Sequence, residues 1–297
     1  MELDCKLGAS LYNLCTLELL TRRGFINTIV RGATASVLAG ACGGIYASLI
    51  EPFWLSVEDV EIPLSGLPPV LDGFRVLQLS DLHCGPDLGP KELGRAVDVV
   101  AEQKPDLVVV TGDFVYRAID RILLCKQELS RLVGIAPVIA CLGNHDHRNG
   151  ADLVAAILET AGVIVLRNES CEIAEGLRVV GLDDVREDCA DLDSGLSEVR
   201  PDECVLLLVH EPDFADTVAQ DGRVDLQVSG HSHGGQVRFP FVGPLIVPYL
   251  GRKYVSGLYQ CGAMWLYVNR GLGMTRPAIR FNCRPEVTLL TLRCTES

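Results

Sequence analysis

The sequence predicts an α/β fold, and three observations carry that prediction. From Phe74 onward strand-like runs alternate with helix-like ones, the pattern of sheets covered by helices. Several of the strand-like runs, Leu107–Thr111 above all, are apolar throughout, as strands buried on both faces are. Five of the runs are followed within four residues by Asp, Asn or His. In open α/β sheets, ligands gather at the carboxyl ends of strands.

The elements follow in order. Residues 1–20 are mildly apolar and carry no motif. Next come Thr21-Arg22-Arg23-Gly24-Phe25-Ile26-Asn27 and then Gly32–Ile50, 19 residues without a charge. Twin Arg ahead of a weakly apolar stretch resembles a twin-arginine export signal; an ordinary amphipathic helix is the alternative. Nineteen residues is near the lower limit for crossing a bilayer, so the stretch can also stay as an anchor. Ala39-Gly40-Ala41 is a candidate cleavage site. Residues 1–50 are therefore expected to be signal or anchor, and 51–297 the catalytic domain.

Val57–Ile62 alternates and precedes Pro63, which predicts an edge strand. Phe74–Leu79 is the next strand. Pro90–Gln103 has Leu93, Val97 and Val100 at helical spacing. Leu107–Thr111, helix Ile119–Val133, strand Pro137–Leu142 and helix Asp152–Thr160 continue the alternation. Val163–Leu166, Cys171–Ala174 and Leu177–Gly181 read as short strands. Val205–Val209 and Leu226–Ser229 flank a short helix, Asp213–Gln220. Val255–Tyr259, Met264–Val268 and Val287–Leu292 close the chain as strands. Residues 183–203 hold nine acidic and two basic residues and read as a solvated loop.

The net charge of the 297 residues is −13. Residues 1–31 hold four basic and three acidic groups, so residues 32–297 carry −14. So acidic a body is a poor partner for nucleic acid, which needs cationic surface. An anionic substrate would need a local positive centre, and a metal supplies one. The twelve Cys show no CxxC spacing, which removes zinc ribbons and thioredoxin-type motifs. A chain of this length can build its own core, so buried free thiols are expected ahead of a disulfide framework.

The strand ends carry the chemistry. They are Ser80-Asp81-Leu82-His83, Gly112-Asp113, Gly143-Asn144-His145-Asp146, His210-Glu211 and Gly230-His231-Ser232-His233. All six histidines of the chain, including His147, lie in these blocks. Two Asp, one Asn and four His make an oxygen-and-nitrogen donor set without thiolate, suited to Mn²⁺, Fe or Zn²⁺. Seven ligands are too many for one ion and right for two. A carboxylate shared by two ions is the arrangement used for displacement at phosphorus.

Together, Asp81-x-His83, Gly112-Asp113, Gly143-Asn144-His145-Asp146, His210 and Gly230-His231-x-His233 resemble the five ordered blocks of the calcineurin-like metallophosphoesterases. Further on, Gly234-Gly235-Gln236-Val237, Ser256-Gly257-Leu258-Tyr259, Arg270-Gly271-Leu272-Gly273 and Ile279–Glu286 resemble the YkuE/YaeI branch. That branch is commonly exported or membrane-anchored. They also resemble the LpxG-type UDP-diacylglucosamine pyrophosphatases.

The resemblance implies a four-layer α/β/β/α sandwich with two mixed sheets. It places Asp81, His83 and His233 on one divalent ion and Asn144, His210 and His231 on the other, with Asp113 bridging. It implies attack by a hydroxide held between the ions, with His145 as the acid on the leaving oxygen. Asp146 either orients His145 or caps the helix that follows. His147 is either support for the site or simply exposed. Cys84 is read as packing. Arg270 and Arg280 can bind substrate phosphate, against an ordinary structural pairing.

The function expected is hydrolysis of phosphodiester or pyrophosphate bonds at the extracytoplasmic face of the membrane. The substrate is a phosphate ester, with a lipid- or nucleotide-linked one such as UDP-2,3-diacylglucosamine in view. A phosphomonoesterase and a metal-binding scaffold without activity are the rival readings. The scaffold predicts lost ligands, and none of the seven is missing.

Overall fold

Among the residues described, two six-stranded sheets face each other across a shared apolar layer. The computed structural model describes residues 22–295. They fall into two units that divide between Ile45 and Tyr46. The first holds helix α1, Arg22–Ile45. The helical run Gly24–Phe53 has a mean hydropathy of 1.5 and is long and apolar enough to cross a membrane. A signal sequence passes the same test. Of the twin-arginine motif, Thr21 and the side chain of Arg23 lie outside the described residues.

The second unit starts at Tyr46 and carries the sheets. Its strands are β1 Ser56–Leu64, β2 Arg75–Leu79, β3 Leu107–Thr111, β4 Val138–Cys141, β5 Ile164–Val165, β6 Glu169–Ala174 and β7 Leu177–Gly181. They continue as β8 Cys204–Leu208, β9 Leu226–Ser229, β10 Arg238–Phe239, β11 Gly243–Pro244, β12 Gly257–Cys261, β13 Met264–Val268 and β14 Glu286–Cys294. The helices are α2 Pro90–Gln103, α3 Asp120–Val133, α4 Asn144–Arg148, α5 Ala151–Thr160, α6 Leu192–Gly195 and α7 Ala215–Asp221. One sheet has the order β1-β14-β2-β3-β4-β5, the other β12-β13-β9-β8-β7-β6.

Both sheets are mixed. β2 to β5 run parallel, with β14 antiparallel to β2. β7, β8, β9 and β13 run parallel, with β6 and β12 antiparallel at the two edges. Strand periodicity explains the layers. Val108 and Val110 of β3 point to the helix side, against Leu93 and Val97 of α2 and Leu129 of α3. Leu107 and Val109 point the other way, into the layer shared with Leu177, Leu206 and Leu208. The far face of the second sheet packs Val205 and Leu207 against Ala215 and Val218 of α7. The result is helices, sheet, sheet, helices, as expected.

The helix expected at Asp213–Gln220 is a tight turn, Pro212–Phe214, followed by α7, because Pro212 fixes the first turn. The strand expected at Val255–Tyr259 runs Gly257–Cys261, its register set by pairing with β13. Helix α4 and the β10–β11 hairpin were not expected. α4 is five polar residues, too short to show a period. The ten cysteines described are all unpaired; Cys5 and Cys15 lie outside the described residues.

Candidate metal centre

β2, β3 and β4 in one sheet and β8 and β9 in the other deliver their carboxyl ends to one rim. Every predicted ligand sits there, buried: Asp81, His83, Asp113, Asn144, His210, His231 and His233. Five of the seven have positive φ: Asp81 49°, His83 44°, Asp113 56°, His231 65° and His233 51°. Non-glycine residues adopt this left-handed conformation rarely and at a cost, and such residues cluster at functional sites. Their neighbours make room. Gly112, at φ 81°, lies so close to Gly143 that a Cβ would come within 2.7 Å of its nitrogen. A Cβ on Gly230 would run into Ser80 Oγ and the Asp81 carboxylate.

The backbone fixes each ligand. The N–H of Asp81 donates to Gly112 O at 3.0 Å and that of His83 to Asp113 O at 2.8 Å. Ser80 Oγ donates to Asp81 Oδ2 at 2.7 Å, and the His231 N–H reaches the same oxygen at 3.0 Å. His145 N–H donates to Asp113 Oδ1 at 2.8 Å. The other Asp113 oxygen is left 3.3 Å from His210 Nε2 and 3.5 Å from His83 Nε2.

The donor atoms then face one another without enough protons to go round. His210 Nδ1 donates to the Thr111 carbonyl at 2.7 Å, so in the neutral ring Nε2 keeps a lone pair, aimed at the Asp113 carboxylate. His231 Nε2 donates to Tyr249 O at 2.8 Å, which leaves its Nδ1 as an acceptor. The Asn144 amide oxygen faces that Nδ1 across 3.2 Å. Exchanging its O and N would make a hydrogen bond there; a cation between them satisfies both acceptors as placed. His83 and His233 stack with Nε2 atoms 3.0 Å apart, beside Asp81 Oδ1 at 3.3 Å from His233. Nδ1 of both rings, and Nε2 of His210, are buried without a hydrogen-bond partner.

Titration follows the same logic. Burial lowers His83 and His231 to about 3 and holds His233 well below its ordinary value, so all three are neutral, the form that binds metal. Burial raises Asp81 to about 6, and nearby Asp113 adds to it while His210 opposes. Burial pushes Asp113 up, yet His210 beside it holds the carboxyl well down; the His210 ring is raised by Asp113 against its own burial. In that pair a proton takes the place a cation would fill. Buried acceptors of mixed oxygen and nitrogen type fit two divalent ions.

Three closely spaced donor groups emerge: Asp81, His83 and His233; Asp81, Asp113 and His210; and His210, Glu211 and His231. Glu211 was not singled out from the sequence. Burial raises it to about 8, and its side chain is hydrogen-bonded to Asp184.

The remaining sequence expectations resolve individually. His145 lines a cavity of about 350 Å³ beside the cluster. Its ring sits 4.9 Å edge-on from His83 and 5.5 Å from Tyr116. Asp146 is a helix cap: its carboxylate accepts from Gly143 N and Val115 N, both at 3.0 Å, and not from His145. His147 stands apart from the cluster, 2.5 Å from Asp183, which also holds Arg167. Cys84 is buried in the helix-side core.

Arg280 and Arg270 are structural. Arg280 is fully buried and donates to the carbonyls of Arg270, Gly271, Gly273 and Cys283. Arg270 pairs with Glu58 and Glu286. The cavity wall instead carries two other cations, Arg276, paired with Asp87, and Arg186, from the acidic loop read as merely solvated. Burial lowers His145 and His231, and the Arg186 charge adds a smaller push in the same direction. One of two Arg among nine acidic neighbours gives no sequence signal.

Comparison with known proteins places this geometry. Residues 74–235 match the family described as calcineurin-like phosphoesterase. The chain is 35% identical over 94% of its length to the metallophosphoesterase YkuE of Bacillus subtilis (strain 168), covering 100% of it. It is 34% identical over 92% of its length to phosphodiesterase YaeI of Escherichia coli (strain K12), again covering 100%. A transmembrane protein with a metallophosphoesterase domain from Danio rerio is 28% identical over 95% of this chain and 70% of its own.

Proposed function

Because the chain belongs to the calcineurin-like phosphoesterase family and is a metal-dependent phosphoric ester hydrolase, we propose that it cleaves phosphodiester or pyrophosphate bonds. One observation supports the site assignment above all: buried Asp, Asn and His acceptors face one another across 3.0 to 3.5 Å. Asp81, His83 and His233 would hold one ion and Asn144, His210 and His231 the other, with Asp113 placed between the two sets. Manganese, iron or zinc suits this donor set. When bound, two such cations neutralise phosphoryl oxygens and lower the pKa of water.

The other tasks fall to side chains. The hydrogen bond from His145 N–H to Asp113 Oδ1 keeps the other oxygen, Oδ2, turned to the cluster. The His145 ring, in the cavity wall, protonates the leaving oxygen. Arg186, in the same wall, meets a second charged group of the substrate, which a diester or pyrophosphate of a nucleotide- or lipid-linked compound supplies. UDP-2,3-diacylglucosamine is a substrate of this type. Residues 1–50 export the chain or anchor it at the extracytoplasmic face, a reading supported by the apolar run Gly24–Phe53.

The test is a side-by-side assay of the purified protein with Mn²⁺ on nitrophenyl phosphate, bis-nitrophenyl phosphate and a UDP-linked lipid. Faster turnover of the diester or the pyrophosphate is expected. Faster turnover of the monoester would overturn the bond assignment.

A further inference from the structure

One exposed surface supplies no side chain to the chemistry above. Phe239 to Leu250 is a run of twelve residues without a charge, formed by the end of β10, β11 and the turn after them. Phe241 is fully exposed, and Val242 and Ile246 are 72% and 79% exposed. Phe239, Leu245 and Tyr249 are exposed as well. So many large apolar side chains on one loop exceed what isolated surface residues explain, and mark an interaction site.

Two continuities say what covers it. Val237, Leu245, Ile246 and Pro248 line the same cavity as Asn144 and His145. The same loop touches the centre, since Tyr249 O holds His231 Nε2. The loop is also joined to the residues that directly follow α1 in the chain. The Phe281 ring lies 5.7 Å from Phe239 and 6.4 Å from Tyr46. Arg238 N–H donates to Phe281 O at 2.8 Å, and Arg280 N–H to Ala47 O at 2.9 Å. Nearby in sequence, Trp54 is half exposed under the Arg284 guanidinium, 4.3 Å from its ring. Aromatic side chains and Arg at the end of an apolar helix are the pattern of a membrane–water boundary.

We propose that the loop Phe239–Tyr249 docks into a phospholipid bilayer and opens the cavity toward it. The substrate class follows, and in this it rests on the phosphoesterase reading: an amphiphilic phosphoester. Its headgroup lies at the metal ligands, and its acyl chain runs along Leu245, Ile246 and Pro248.

Docking is tested without any activity. Full-length Phe241→Trp chain is placed in phosphatidylcholine vesicles whose acyl chains carry bromine, a short-range quencher. The reference is Val70→Trp, also exposed but in the turn that precedes the amino end of β2, away from the rim. Fluorescence added over the parent should be quenched for Phe241→Trp and not for Val70→Trp. Equal quenching of the two would overturn docking. An unquenched but blue-shifted Phe241→Trp would also overturn it, by assigning the surface to a protein contact.

The substrate class is tested with alkyl nitrophenyl phosphodiesters. KM should fall by about tenfold or more from methyl to octyl as methylenes are buried, and Ile246→Asp should remove the gain. A KM independent of chain length would overturn the substrate class alone. Hydrolysis of none of the diesters would overturn the phosphoesterase reading and the substrate class with it, while the quenching result would still decide docking.

Discussion

Replacing His145 by Ala separates proton donation from metal holding. The backbone N–H of residue 145, which orients Asp113 Oδ1 at 2.8 Å, survives the substitution. What is lost is a ring that lines the cavity and packs on His83 and Tyr116. Both metals should therefore remain. The rate should fall by about 10²–10⁴-fold, the usual worth of a positioned general acid. That corresponds to about 3–5 kcal/mol of barrier. The loss should be smaller for a nitrophenolate leaving group, which needs less protonation than an alkoxide. Asn144→Ala is the contrast, because its amide oxygen faces His231 Nδ1 across 3.2 Å. It should weaken one ion and slow all substrates alike. The assay is metal content and turnover of both variants on two diesters of differing leaving-group pKa. Metal loss in His145→Ala would make that residue a ligand and refute its role as acid. An equal rate loss on both diesters would reduce the role to charge stabilisation.

Other outcomes follow from single interactions. Arg280→Met removes four hydrogen bonds made by a fully buried guanidinium and should lower the unfolding free energy by about 3 kcal/mol or more. Urea denaturation reads this, and a change under about 1 kcal/mol would contradict a structural role. The hydrogen bond with Asp183 raises His147 above its ordinary 6.5. That stabilisation is complete below the unfolded value and lost as pH rises through the folded one, so His147→Ala should cost more stability near pH 6 than near pH 9. Equal costs at the two values would mean the ring acts by packing alone. Changing Arg22 and Arg23 to Lys together should retain the protein in the cytoplasm on fractionation. Export of the double variant would dismiss the twin-arginine reading.

The two sheets were legible because their strands are apolar and bounded by Gly, Pro or Asp; Leu107–Thr111, Leu177–Gly181 and Met264–Val268 fall where the sequence puts them. The donor residues were legible because parallel strands send their carboxyl ends to one rim, and Asp, Asn and His stand at five of those ends. What was not legible depends on contacts between distant segments. Arg280 belongs to a turn only tertiary structure assembles, since its four acceptors lie at Arg270, Gly271, Gly273 and Cys283. Arg186 enters the cavity wall from a loop whose composition is that of solvated surface. Asp146 offered two equal uses in sequence, and only the positions of Gly143 N and Val115 N decide for the cap. The apolar loop after β10 has no period, and its meaning comes from exposure, which a sequence does not state.

The central claim is that two ions share Asp113, and metal stoichiometry tests it most directly. Elemental analysis of full-length protein, purified without chelator and then saturated with Mn²⁺, should give two ions per chain. Asp113→Ala should weaken both sites together, because its carboxylate faces His83 on one side and His210 on the other. Full activity at a stoichiometry that never exceeds one, or an Asp113→Ala chain that keeps one site at full affinity, would contradict the shared-carboxylate centre.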